Sequence, residues 1–306
     1  MPVRGLIRAC HPEPAAAVTV VACLLTIAAG RRPVDSVTIT LAVLASQLAV
    51  GWWNDWLDAD RDTETDRRDK PLATGEVSRR AVLVAAVVAA VANVPLSLLS
   101  GPVPGVFGIT GMLLGLAYDW PLKFTVASVV PYLLAFASLA TFTAGTRHWW
   151  LITAAGLLGG GAHFLNVLPD LAGDARTGVR GLPQALGATG SWLAGGGLLL
   201  AATAILVFGP AGAPSIAGLG ILAVAVVALP SGWLLARRFG PRMAFRSVML
   251  VALADVVLLL FSGTPARSPS ERRGCLLQHE PQGSLVRPET MTTTLCGVAC
   301  LSRRTA

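Results

Sequence analysis

The chain is a succession of apolar stretches, each about as long as a bilayer core is thick, separated by short polar connections. A helical crossing needs about 20 mostly apolar residues. Read with a window of about 19 residues, the sequence offers nine such stretches, near 14–30, 36–53, 81–100, 103–119, 124–145, 149–168, 191–208, 214–236 and 243–261. Backbone groups in hydrocarbon must be satisfied within their own segment, so the expected fold class is all-α: a polytopic membrane bundle of about nine transmembrane helices. Only 13% of residues are charged, against roughly a quarter in soluble domains, which excludes an ordinary soluble enzyme. The net charge of +7 does not indicate nucleic acid, because the basic residues cluster between apolar segments and form no solvated face. The five cysteines form no CxxC pair and have no histidine at zinc spacing.

Two domains are expected: a membrane domain over residues 1–261 and a polar tail over 262–306, rich in Ser, Thr, Arg and Pro and without helical or strand period, expected to be disordered. Arg4 and Arg8 precede an apolar run as in a signal peptide, but Gly30-Arg31-Arg32 offers no small-x-small cleavage site, so the run is expected to be a retained span. With the N-terminus cytoplasmic, the loops on that side hold fifteen basic residues and the opposite loops only Arg31, Arg32 and Arg147, as the positive-inside rule requires. The expected setting is the cell membrane, with several passes. Nine spans put the six tail arginines outside, against the rule.

Eight of the 17 acidic residues crowd between the second and third spans. Within that connection Asn54, Asp58 and Asp62 recur every fourth residue. On a helix they share one face, drifting about 40° per step. Two carboxylates and an amide oxygen make a hard site suited to Mg²⁺, which takes one or two carboxylates and completes its octahedron with water and phosphate oxygens. The spacing returns four spans later in Asn166, Asp170 and Asp174, on the same side of the membrane, so that the two stripes can face each other across a metal-bound diphosphate. Arg67 and Lys70 follow the first stripe, Tyr118 and Lys123 lie between the fourth and fifth spans, and Arg180 follows the second stripe, placed to neutralise phosphate oxygens.

At these residues the chain resembles the UbiA-type intramembrane prenyltransferase superfamily. The resemblance rests on the paired stripes, on Lys70-Pro71-Leu72-Ala73-Thr74-Gly75, on the Tyr118 to Lys123 segment and on Gly178 to Pro183, and it runs from about residue 8 to residue 261. Asn166 opening the second stripe is as in the naphthoate-prenylating branch, whereas Tyr118 and Lys123 stand one residue further apart than in several relatives. The resemblance implies a helical bundle around a central cavity, Mg²⁺-dependent binding of an isoprenyl diphosphate, and transfer to an aromatic or other lipophilic acceptor. Asn54, Asp58, Asp62, Asn166, Asp170 and Asp174 are then the metal ligands, with Asp58, Asp62, Asp170 and Asp174 the catalytic carboxylates. Arg67, Lys70, Tyr118, Lys123 and Arg180 are the diphosphate-binding groups. Trp52, Trp53, Trp56, Tyr118 and Trp120 are the candidates for shielding an allylic cation. No base is identified.

The remaining polar residues have plainer roles. Asp60, Glu64, Asp66 and Glu76 belong to a solvated connection, and Arg79 and Arg80 set orientation. Trp149, Trp150 and Trp233 fit an interfacial belt, and Gln47, Asn93 and His163 fit interhelical hydrogen bonds. Asp255 is the one acid deep in a span. Two rival functions stand beside the prenyltransferase: a terpene cyclase on the same scaffold, needing no acceptor, and a transporter, whose ionisable groups should lie nearer the midplane.

Overall fold

In a computed structural model, residues 2–64, 67, 70–168, 171, 174, 178–239 and 242–262 are described. The expected tail from 263 onward and the second-stripe residue Asp170 lie outside them. The described residues form helices joined by turns and contain no strand. A short amphipathic helix α1 (Pro2–Ala9) precedes α2 (Pro12–Ala28), α3 (Pro33–Glu64), α4 (Arg79–Leu98), α5 (Pro102–Asp119), α6 (Val129–Ala144), α7 (Trp149–Val167), α8 (Leu182–Phe208), α9 (Ile216–Phe239) and α10 (Arg242–Ser262). Helices α2 to α10 occupy the nine expected stretches.

Five of these, α3, α4, α7, α8 and α9, are long and apolar enough to cross a membrane on those grounds alone, and α1 with α2, bent by 67°, would make a sixth. Two others fall short for visible reasons. Helix α6 has 16 residues, and α5 is diluted by two prolines, four glycines and Asp119.

Proline punctuates the starts, where its missing N–H is no loss: Pro12 and Pro102 sit at the first turns of α2 and α5, and Pro183 at that of α8. Ser78 caps α4, accepting from the Ala81 N–H at 3.2 Å. Helix α8 begins nine residues before the expected boundary and is broken at Gly187, whose φ of 68° only glycine adopts cheaply. Helix α3, at 32 residues, is about 48 Å long and outreaches a core of about 30 Å. Its apolar length ends at Trp53, and the charged continuation carries the first stripe past the bundle's end.

The helices pack in chain order, with α10 returning to touch α2 and so closing the bundle. The largest core cluster lies among α7, α8, α9 and α10, around Leu151, Leu199, Ala202 and Val251. A smaller one joins α2, α3 and α6 through Ala22, Ile39 and Phe142. Helices α6 and α7 approach closely because residue 159 is glycine: a Cβ there would stand 2.6 Å from the Tyr132 carbonyl oxygen. Valines such as Val84, Val87, Val88 and Val91 line the outer face of α4 exposed, as a lipid-facing helix requires.

Asn93 donates to the Ala42 carbonyl of α3 at 2.9 Å, the interhelical bond expected of it. Two tryptophans depart from the belt expectation: Trp150 is buried in the core, and Trp233 stacks on Trp192 at 4.9 Å.

Candidate active site

Two cavities meet at the end of the bundle where α3, α5 and α7 finish their apolar lengths. The rim cavity, about 140 Å³, is lined by Asn54, Asp58 and Arg61 of α3, Tyr118 of α5, Lys123, His163 and Val167 of α7, Asp174, Val179 and Gln184. The larger, about 300 Å³, reaches from His11 and Asn54 past Tyr118, Tyr132 and Asn166 to Gln47 and Phe136. Asn54 and Tyr118 line both. A third space of about 60 Å³ continues from Gln47 and Phe136 toward Phe107, Leu139 and Phe142. Together they form a passage from a polar rim to an apolar interior closed by phenylalanines.

The rim is built from charges that already neutralise one another. Lys123 follows α5 on a single 3₁₀ turn (Leu122–Phe124) after a cis Trp120–Pro121 peptide. Though buried, its Nζ reaches Asp58 Oδ1 at 2.7 Å. Arg61, one turn on, holds Asp58 Oδ2 at 2.7 Å. Asn54 donates its amide to Asp119 at 3.0 Å, and the other oxygen of buried Asp119 has no partner. Asp174 accepts from the Gln184 amide at 2.8 Å. Asp62, beyond the apolar length of α3, is buried. Burial raises its carboxyl above the usual range, Lys70 draws it back down, and Asp58 adds to the rise.

Of the expected site residues, the structure brings Asn54, Asp58, Tyr118, Lys123 and Asp174 around one cavity, and Asn166 onto the adjoining one. One carboxylate of each stripe, Asp58 and Asp174, thus borders the same cavity. Asp62 stands one turn beyond Asp58. Arg67 and Arg180 are exposed and outside the lining of both cavities. Lys70 turns elsewhere, onto Asp55 at 2.7 Å and His11 at 3.2 Å.

The expected tryptophan shield is absent from both linings. Trp52 and Trp56 pack on α1 and Leu72, Trp52 donating to the Leu6 carbonyl at 2.8 Å, Trp53 stacks on Trp56, and Trp120 is exposed. The aromatic lining is instead Tyr118, edge-on to Tyr132 at 4.8 Å and to His163 at 5.4 Å, with Phe136 deeper. His163 touches the site after all, its Nε2 3.1 Å from Ser128 Oγ.

Arg61, Asp119, Gln184 and His11 are site residues that the pattern did not reveal. Asp119 was within reach, lying inside the Tyr118 to Lys123 segment, and Arg61 sits at i+3 from Asp58. Gln184 and His11 carry no periodic signal.

Among the described residues no three His, Cys, Asp or Glu side chains converge as a closed metal cluster. The donor set nevertheless fits Mg²⁺, which wants one or two carboxylates and leaves its other positions to water and phosphate. Asn54, Asp58 and Asp174 supply hard oxygens, and one oxygen of buried Asp119 beside them has no partner.

Comparison with known proteins agrees with this geometry. The model of the UbiA prenyltransferase family matches residues 16–254. A UbiA homolog from Archaeoglobus fulgidus, solved bound to DMAPP and Mg²⁺, is 15% identical, with a TM-score of 0.63 over 84% of this chain and 99% of that one. A digeranylgeranylglyceryl phosphate synthase is 16% identical, with a TM-score of 0.62 over 85% and 97%. The apo UbiA homolog from Aeropyrum pernix K1 is 16% identical, with a TM-score of 0.56 over 79% and 98%. No curated protein matches in sequence.

Proposed function

The chain belongs to the UbiA prenyltransferase family, and from that premise we propose that it transfers an isoprenyl group from a prenyl diphosphate to a lipophilic, aromatic acceptor. The observation that carries this reading is the rim cavity, where Asn54 and Asp58 from one stripe meet Asp174 from the other beside Lys123 and Arg61. The A. fulgidus homolog solved with DMAPP and Mg²⁺, and again with GPP and Mg²⁺, supports prenyl diphosphates as the donor class and Mg²⁺ as the cofactor.

Asn54, Asp58, Asp62, Asn166 and Asp174, with Asp170 from outside the described residues, would hold Mg²⁺. When bound, the ion supplies charge stabilisation to the departing diphosphate. The chain's own residues do the rest. Lys123 and Arg61, held ready on Asp58, exchange that carboxylate for phosphate oxygens and hold the leaving group against recapture. Arg67, Lys70 and Arg180 stand further out as aids to diphosphate entry. Tyr118 and Tyr132 present ring faces and edges at the junction of the cavities, where allylic positive charge develops, and exclude water from it. The apolar passage past Gln47 and Phe136 takes the prenyl chain. With the N-terminus and both stripes on the cytoplasmic side, as the basic residues favour, donor and acceptor enter from the cytoplasm or the adjacent leaflet.

Membranes carrying the protein, given DMAPP or GPP, Mg²⁺ and a panel of phenolic and hydroxynaphthoic acids, should yield prenylated acceptor by mass spectrometry. Cyclised hydrocarbon without use of any acceptor would instead favour the cyclase reading.

A further inference from the structure

The turn between α1 and α2 carries a histidine that the diphosphate chemistry leaves unused. His11 lines the larger cavity together with Asn54, Tyr118 and Asn166. Its Nε2 lies 2.9 Å from Oδ1 of Asp55, which is 2% exposed and also bonded by Lys70 at 2.7 Å. Nε2 lies between two groups, the Asp55 carboxylate at 2.9 Å, which only accepts, and the Lys70 ammonium at 3.2 Å, which only donates; the shorter contact puts the hydrogen on Nε2 toward Asp55 and the lone pair on Nδ1. Lys70 holds Asp55 in place, and Asp55 in turn orients the imidazole ring. This is the arrangement of a nitrogen base with a carboxylate behind it.

Two further observations show that the position is built. His11 is the one non-glycine among the described residues with positive φ, at φ 54° and ψ 67°. Glycine adopts that conformation without steric penalty, yet this turn carries an imidazole, and strained residues of this kind cluster where a side chain must be aimed. The turn is also pressed onto α3: a Cβ at position 51 would stand 2.3 Å from the Cys10 carbonyl oxygen, so Gly51 is what lets the His11 turn lie directly over the first stripe.

We infer that His11 is the general base of the transfer, taking the proton that the aromatic acceptor loses. The inference rests on the prenyl-transfer reading above. The allylic C–O bond breaks and its electron pair leaves with the diphosphate. A ring carbon of the acceptor, made electron-rich by a hydroxyl, then forms the new C–C bond to the allylic carbon. The proton released as the ring regains aromaticity passes to Nδ1, and the imidazolium is stabilised by Asp55. The half-exposed ring then returns the proton to water. Asn54 lines both cavities, so a reacting carbon at their junction faces His11 across the larger one.

The test separates ionisation from proton removal. His11→Gln and His11→Ala are assayed in detergent with GPP and Mg²⁺, for diphosphate release without acceptor and for prenylated product with the phenolic and hydroxynaphthoic panel. Expected is a fall in product formation about 10² or more beyond any fall in acceptor-free diphosphate release, the usual scale of general-base catalysis. Added imidazole should restore product to His11→Ala, which a purely structural role would not allow. A parallel fall of both activities, undiminished product formation, or absence of imidazole rescue in a variant that still releases diphosphate would overturn the assignment. A wild-type protein that releases diphosphate yet prenylates no acceptor would instead remove the transfer reading on which it stands.

Discussion

Replacing Lys123 by methionine removes the buried cation nearest the first stripe while keeping most of its apolar stem. In the structure Lys123 Nζ is 2.7 Å from Asp58 Oδ1, and Arg61 holds the other oxygen of the same carboxylate at 2.7 Å. The substitution therefore does not strand Asp58 as an uncompensated buried charge, and the fold should survive. What is lost is a donor to the departing diphosphate. A hydrogen bond to a charged group is worth about 1.5–3 kcal/mol, and at about 1.4 kcal/mol per tenfold in rate the loss corresponds to a drop of about 10- to 150-fold in kcat/KM for GPP. The assay is continuous diphosphate release in detergent, with thermal melting as the control for folding and Lys123→Arg as a partial rescue. Wild-type kcat/KM in a folded Lys123→Met protein would refute the reasoning that this lysine serves the leaving group.

Chelation of divalent ions should abolish diphosphate release, and added Mg²⁺ should restore it; activity persisting in excess chelator would contradict the donor-set argument. Phe136→Ala removes the ring between the larger and deeper cavities and should raise kcat/KM for farnesyl diphosphate relative to GPP; an unchanged ratio would mean that the prenyl chain does not pass there. Asp255→Asn should leave diphosphate release unchanged, because Asp255 faces Thr203 at 2.6 Å in the bundle core and lines neither cavity. A large loss of activity in that variant would give the residue a role that the geometry withholds.

The helices were legible because apolar length is set by the bilayer, a constraint that acts on every crossing alike. The stripe on α3 was legible because a period of four on a helix fixes a common face, and Asn54 and Asp58 line one cavity together with Asp174. What escaped was set by contacts between segments far apart in the chain. His11 is brought to Asp55 by a bend between α1 and α2 and by Gly51, and no local periodicity encodes either. Lys70 stands beside the first stripe in sequence, but no local pattern announces the Asp55 and His11 partners that hold it. The tryptophans near the first stripe stand close enough in sequence to shield a cation, but Trp52 and Trp56 pack on the cluster that Ala9 of α1 forms with Val77 and Val82, and α1 is too short to register as an apolar run. The span expected from residue 191 starts earlier because Leu182 and Pro183 open α8 well before its apolar run begins.

The central claim is that two distant stripes act as one clamp on a metal-bound diphosphate. The direct measurement is a double-mutant cycle on Mg²⁺-dependent diphosphate release from GPP, using Asp58→Asn, Asp174→Asn and the pair. If the clamp is one unit, each single variant loses most of the activity and the pair loses little more, because either change already opens it. Near-wild-type release in either single variant, or losses that simply add in free energy, would show that the stripes do not work together.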